Sequence, residues 1–221
     1  MSELVEKIAV CIERGKVNLA ATYPPDLRGQ DGADDLAKNA LARGEAPDTV
    51  LQGCVLGMQR IGEKFSQNKV FVPDLLMAAK AMNAAMAHLK PYFKSGAVKR
   101  RGQFVVGTVA GDLHDIGKNL VAMVVEGGGW EVIDLGVDVP TEKFVETVAA
   151  HPGCVVGLSA LLTTTMVNME KTVREIKIKF PSTRILIGGA PVTQAYASKI
   201  GADGYSPDPQ GAVNLLSRVA A

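Results

Sequence analysis

The sequence predicts an α/β protein: an N-terminal helical bundle, then a doubly wound, flavodoxin-like (Rossmann-like) sheet of five parallel strands. Three observations predict it. Apolar residues recur at spacings of three and four through roughly the first 90 positions, the period of amphipathic helices. Beyond residue 102, short β-rich runs alternate with helical segments, as in a parallel sheet covered on both faces. Between the two lies KSGAVKRRG (residues 94–102), polar, basic and glycine-bearing, with the composition of a linker. The expected division is a helical bundle over 1–94, a linker over 95–102 and an α/β domain over 103–221.

In the first half, Leu4, Ile8, Cys11 and Leu19 form a weak stripe. Val50, Leu51, Cys54, Met58, Ile61 and Phe65 form a stronger one, and Leu75, Ala79, Met82, Met86 and Leu89 another. Gly44 to Asp48 breaks the chain before the third helix, with Asp48 as its N-cap, and Pro73-Asp74 suits the first turn of the next. Helices with short connections suggest an antiparallel bundle. In the second half, strands are expected at Phe104–Val109, Val132–Leu135, Cys154–Leu158, Arg184–Ile187 and, briefly, Asp203–Tyr205. A helix follows from about Ile116, and Met166, Met169, Val173, Ile176 and Phe180 mark another. Gly127-Gly128-Gly129 reads as a helix stop.

Composition narrows the function. Twenty-four basic and 23 acidic residues nearly cancel, leaving no excess of cations to neutralise phosphates, so nucleic acid is not the expected partner. No run of 18 apolar residues exists, so no membrane span is expected. MSELVEKIAVCIERG lacks a basic leader followed by an unbroken apolar core, so no signal peptide is expected and the cytoplasm is the expected location. Cys11, Cys54 and Cys154 are far apart, each in an apolar stretch, and read as small buried hydrophobes.

Open parallel sheets bind ligands beyond the carboxyl ends of their strands. The loop there after the first strand runs Gly111-Asp112-Leu113-His114-Asp115-Ile116-Gly117-Lys118-Asn119. A histidine in such a loop can give one ring nitrogen to a metal while a carboxylate such as Asp112 fixes the other. It can also be an ordinary loop histidine beside a capping aspartate. Zinc fits poorly, because His88 and His151 lie in other segments without ligand spacing. One histidine suffices if a macrocycle fills the other metal positions. After the third strand come Ser159, Thr163, Thr164 and Thr165, hydroxyls able to cap a helix or bond a ligand. After the fourth come Gly188 and Gly189, which leave room for a cofactor or for another backbone.

Asp112-x-His114-x-x-Gly117, then Ser159-x-Leu161, then Gly188-Gly189 resemble the signature of cobalamin-binding domains that bind with the cofactor's own base displaced by histidine. GTVAGDLHDIGKNLV, GLSALLTTTM and LIGGAPVT are similar to segments of corrinoid proteins of anaerobic methyltransferase systems and of the cobalamin module of methionine synthase. GMQRIGEKFSQNKVFVPDLLMAAKAM is similar to their helical cap. The resemblance implies a cobalamin or related corrinoid, methylcobalamin when loaded, with His114 as axial cobalt ligand. Asp112 would bond the far nitrogen of His114 and Thr165 would extend this relay, taking up or releasing a proton as the ligand bond breaks and forms. Family members often carry serine at the position of Thr165. Ser159 and Leu161 would line the nucleotide-tail pocket, with Gly117, Gly188 and Gly189 making room for it; Thr163 would be a further cofactor-binding residue, and Gly111, Asp115 and Ile116 complete the histidine loop. Phe65 and Val72 would shield the cobalt's upper face, or simply be bundle core.

The implied function is a methyl carrier: cobalt(I) accepts a methyl group through a substrate-specific methyltransferase and delivers it to a second methyltransferase acting on a thiol or pterin. A reductive activation protein would be a third partner. The same signature serves cobalamin-dependent sensors and mutase subunits, which are the alternatives. The chain lacks the length and charge of a sensor's DNA-binding domain, and a mutase subunit normally lacks this cap.

Overall fold

The computed structural model describes residues 2–219, which form two compact units. Of these, the first contains residues 2–100 together with 127–129, and the second the remainder.

The first unit is helical. Its elements are α1 (Glu3–Glu13), α2 (Ala33–Ala42), α3 (Pro47–Ser66), α4 (Val72–Ala87) and a short α5 (Lys90–Lys94), with a 3₁₀ turn at Pro25–Leu27. α1 packs on α3, and α4 on both α2 and α3. Ile8, Ile12, Val50, Cys54, Met58, Ile61, Leu75, Met82 and Leu89 are buried, largely the two stronger stripes read from the sequence. α3 approaches α1 closely because of two glycines. A Cβ on Gly57 would lie 2.7 Å from the Ala9 carbonyl oxygen, and one on Gly53 would lie 2.8 Å from Ile8 Cβ. Two expectations are corrected. Leu19 lies beyond α1 and is exposed. The N-cap of α3 is Ala46 rather than Asp48, because Pro47 takes the first helical position, where its missing N–H costs nothing. Asp74 behaves as its position predicts: it accepts the Phe71 N–H at 2.9 Å at the start of α4.

The second unit holds β1 (Gln103–Thr108), α6 (Ile116–Gly127), β2 (Glu131–Asp134), α7 (Thr141–Ala150), β3 (Val155–Ser159), α8 (Met166–Lys179), β4 (Arg184–Gly188), α9 (Gln194–Ile200), β5 (Gly204–Tyr205) and α10 (Pro209–Val219). All strand pairs are parallel, in the order β2-β1-β3-β4-β5. The strands expected from the sequence are all present, displaced by a residue or less at most ends; Val109 leaves β1 and makes only an isolated bridge to Val139. The core joins Val105, Phe144, Val156, Leu158, Met169, Ile176, Ile185 and Ile187. Gly107 and Gly157 sit where the rings of Phe144 and Phe104 press on the strands. From β1 the chain steps outward to β2 and then back across to β3. The strand order therefore reverses between β1 and β3, and parallel sheets of this kind bind ligands at the carboxyl edge beside such a switch point.

The three cysteines are buried free thiols. Burial pushes Cys54 up to about 12 and, against the opposing influence of Lys16, Cys11 up to about 11, as expected of packing residues. No described helix is long and apolar enough to cross a membrane.

Candidate functional site

Asp112, at the end of the tight turn that leaves β1, is fully buried. Its oxygens meet five donors. Oδ1 accepts from the His114 backbone N–H (3.1 Å) and lies 2.8 Å from His114 Nδ1. Oδ2 accepts from the N–H groups of Leu161 (2.7 Å) and Leu162 (3.3 Å) and from the Thr165 hydroxyl (2.8 Å). The single Thr165 proton also lies within reach of the Leu162 carbonyl, at 2.9 Å; the carboxylate is the stronger acceptor. Burial raises the Asp112 carboxyl, but the bonds from Leu161, the His114 ring, Thr165 and the His114 backbone outweigh it and hold the group well below the usual carboxylate range. Asp112 is therefore an anion that can only accept.

That fixes the imidazole. Facing an acceptor, Nδ1 of neutral His114 carries the proton, and the free lone pair sits on Nε2. The His114 side chain is 51% exposed, and Nε2 has no hydrogen-bond partner among the described residues. The histidine is also held by its backbone, for the buried Thr108 hydroxyl donates to the His114 carbonyl at 3.0 Å. Asn168, in the first turn of α8, donates to the Ala110 carbonyl at 2.7 Å and so anchors the start of the same loop.

The sheet brings most of the expected residues to one edge. Ser159 ends β3, Leu161 and Thr163 follow it, and Thr165 stands at the N-cap of α8 with its hydroxyl turned to Asp112 rather than capping the helix. Gly188 ends β4, and Gly189 adopts φ +127°. A Cβ on Gly189 would lie 1.8 Å from the Ala160 carbonyl oxygen, so this glycine is required by the neighbouring backbone. Gly111 has φ +81°, and Asp115 accepts from the Asn119 side chain at 3.0 Å. Gly117 has open space where a side chain would stand. Leu113 (71%), Ile116 (74%), Leu161 and Leu162 expose apolar surface around His114. Phe65 and Val72 stand in the helical unit, near the end of α3 and at the start of α4, each half-buried. His88 pairs with Asp34 at 2.7 Å and His151 caps α7, as befits structural histidines. Among the described residues no cluster of three or more His, Cys, Asp or Glu suits a metal.

Sequence reasoning missed Thr108 and Asn168, which bond through backbone carbonyls, and the Leu161 and Leu162 amides, which carry no residue-specific signal. It also missed the loop after β2.

Two family models and several known proteins match the chain. The B12 binding domain family matches residues 102–214, and a second B12 binding domain family matches residues 29–90. Trimethylamine corrinoid protein 1 of Methanosarcina acetivorans is 41% identical over 195 residues, covering 86% of this chain and 88% of that protein. A cobalamin-binding protein from Desulfitobacterium hafniense superposes with a TM-score of 0.77 at 30% identity, over 97% of this chain and 98% of that one. The methanol:cobalamin methyltransferase complex MtaBC of Methanosarcina barkeri contains a chain matching with a TM-score of 0.78 at 26% identity, over 99% of this chain and 80% of that one.

Proposed function

This chain belongs to the B12 binding domain family, and on that premise we propose that it carries a corrinoid on His114 and passes a methyl group between partner enzymes. The observation that carries the assignment is the Asp112–His114 pair: a buried, ionised carboxylate fixes the tautomer that leaves Nε2 exposed with a free lone pair. The surroundings fit the group. One imidazole with no companion ligand suits a metal whose other positions a macrocycle fills, and the exposed rim of Leu113, Ile116, Leu161 and Leu162 suits a broad apolar ring. The open space at Gly117 leaves room beside the loop.

When bound, the corrinoid supplies a cobalt that takes a methyl group from one enzyme and gives it up to another. The protein's part is to present His114 and to tune it. Asp112 shares its charge with the ring through Nδ1 and so strengthens Nε2 as a donor. Thr165 and the two leucine amides hold Asp112 in that orientation. Ser159, Leu161, Gly188 and Gly189, at the ends of β3 and β4, are the residues we assign to the displaced nucleotide tail, on the strength of the signature they match, and Thr163, beside them, is assigned to cofactor binding. Gly111, Asp115 and Ile116 belong to the ligand loop, and Phe65 and Val72 are assigned to shielding the upper face.

The partners we infer are a substrate-specific methyltransferase, a second methyltransferase for a thiol or pterin acceptor, and a reductive activation protein. The relatives and structures named above are corrinoid, cobalamin-binding or methyltransferase proteins, none a sensor or a mutase. A reducing cytoplasm suits the three free thiols.

The test is anaerobic reconstitution with cobalamin, followed by electron paramagnetic resonance of the cobalt(II) protein labelled with ¹⁵N-histidine. A histidine nitrogen pattern that is lost in His114→Ala is expected. Stoichiometric binding with the pattern unchanged in that variant overturns the ligand assignment, and failure to bind any corrinoid overturns the function.

A further inference from the structure

We propose that the loop between β2 and α7 braces the histidine loop from outside, and that Asp138, Asp134 and Lys118 are positioning residues which set how firmly His114 is presented. The inference rests on the reading of His114 as a cobalt ligand. It concerns groups that never touch the imidazole.

The brace grips the histidine loop at both ends. At the start, Asp138 Oδ1 accepts the Gly111 N–H at 2.6 Å, and the Asp138 N–H donates to the Asp112 carbonyl at 3.0 Å. Two consecutive residues of the turn after β1 are thus tied to one aspartate. Asp138 does this in the left-handed region, with φ +52°; Asn68 is the other non-glycine residue with positive φ among the described residues. L-residues other than glycine enter that region at a cost. Glycine would enter it freely, but glycine has no carboxylate to receive Gly111.

At the far end, Lys118 belongs to the first turns of α6, four residues beyond His114, and is 3% exposed. Its ammonium donates to Asp134 Oδ2 at 2.5 Å and to Asn119 Oδ1 at 2.6 Å. A buried ammonium is tolerated only where acceptors compensate it, so α6 cannot leave Asp134 without stranding a charge. Asn119 in turn donates its amide to Asp115 Oδ2 at 3.0 Å, which carries the hold back to the residue beside His114. Asp134 is oriented by the Gly136 N–H on Oδ1 at 2.9 Å.

Between the two grips, the same loop holds the middle. Gly136 accepts the Thr108 N–H and Val139 donates to the Thr108 carbonyl, each at 2.9 Å. Thr108 is the residue whose hydroxyl holds the His114 carbonyl. The backbone on either side of His114 is therefore fastened to the end of β2 and the loop that follows it, and the ring has only its own torsions left to move. If Nε2 releases the metal, the imidazole swings while its backbone stays, and it returns without a search. Loosening the brace should shift the balance towards the released histidine.

The experiment uses the full chain with three substitutions. Asp138→Gly keeps the left-handed backbone and removes the carboxylate. Asp138→Asn keeps both an acceptor and tolerance of that backbone. Lys118→Met keeps the stem and removes the ammonium. Amide hydrogen exchange in the cofactor-free protein reads the brace directly. Visible absorbance of the cobalamin-loaded protein, with ¹⁵N-histidine resonance as the assignment, reads the fraction of His114 off the metal.

In Asp138→Gly and Lys118→Met we expect exchange over residues 111–119 to rise on the order of tenfold, as for one lost bond, with β4 unchanged. The released fraction should rise with it, and Asp138→Asn should restore both. A released fraction equal to that of the unsubstituted protein in both variants overturns the proposal. So does exchange that rises equally throughout the sheet, which would mean plain loss of stability. If the unsubstituted protein shows no histidine on the cobalt, the functional reading falls and the brace with it. If it does and the variants match it, the brace alone falls.

Discussion

Asp112 has its two oxygens committed to five donors, drawn from the His114 loop, the loop after β3 and the start of α8. A carboxyl held so far below its ordinary range keeps no proton near neutral pH. Asp112 therefore faces the His114 ring as a fixed acceptor. Asp112→Asn should weaken histidine ligation on the order of 10–100-fold, read as a larger histidine-off fraction in a visible titration. It should also cost about 1–3 kcal/mol of stability, because the new NH₂ turns a donor towards groups that are themselves donors. Thr165→Val should move ligation the same way but less, leaving the leucine amides in place, and Thr165→Ser should behave as the unsubstituted protein. Equal titrations for Asp112→Asn and the parent would reduce Asp112 to a scaffold for two loops. The Asp112–His114 pair was legible from residue types two positions apart, whereas the place of Thr165 beside it came only from the family signature the chain resembles. The backbone amides that complete the shell announce nothing, so the link from Asp112 to Leu161 and Leu162 appears only in three dimensions.

At the scale of elements, close helix packing and a charged clasp decide stability. Gly57 costs α3 roughly 1 kcal/mol of intrinsic propensity relative to alanine. An added methyl would meet the backbone oxygen of Ala9 at 2.7 Å, which no rotamer change relieves. Overpacking of this kind costs about 1–3 kcal/mol and outweighs the gain, so Gly57→Ala should lower the urea midpoint rather than raise it. The second clasp is Asp203, which accepts from Lys177 of α8 (2.6 Å), Arg184 of β4 (3.0 Å) and the Ile185 N–H (2.7 Å). Burial raises this carboxyl, but those three partners lower it further, so its net shift is downward. Its contribution is present above the unfolded carboxyl value near 4 and fades as pH falls through the lower folded value. Asp203→Asn should cost about 1–3 kcal/mol at pH 7, and that difference should shrink in acid; a constant difference down to pH 2 would contradict the clasp. The periodicities exposed the strands and main helices, because apolar spacing follows burial. They did not expose Gly53 and Gly57, since a glycine in a helix gives no hydropathy signal of the helix it admits. Nor did they place the start of α3, where Pro47 overrode the capping preference of Asp48.

For the whole molecule, we propose the division into residues 1–94 and 103–221 joined by 95–102, a division that composition suggests. Lys94 and Lys99 are exposed there, so brief trypsin treatment followed by mass spectrometry should cut first in this stretch; first cuts within α3 or α6 would argue against it. The apolar rim around His114 has a consequence for handling the protein. Leu113, Ile116, Leu161 and Leu162 are exposed near one sheet edge, an arrangement that attracts any greasy surface. Produced without its corrinoid, the polypeptide should be sticky: it should brighten anilinonaphthalene sulfonate, self-associate as concentration rises, and lose both habits when cobalamin is added. Supply of vitamin during expression would then govern yield as much as activity, and cells short of it would accumulate aggregates rather than idle carrier.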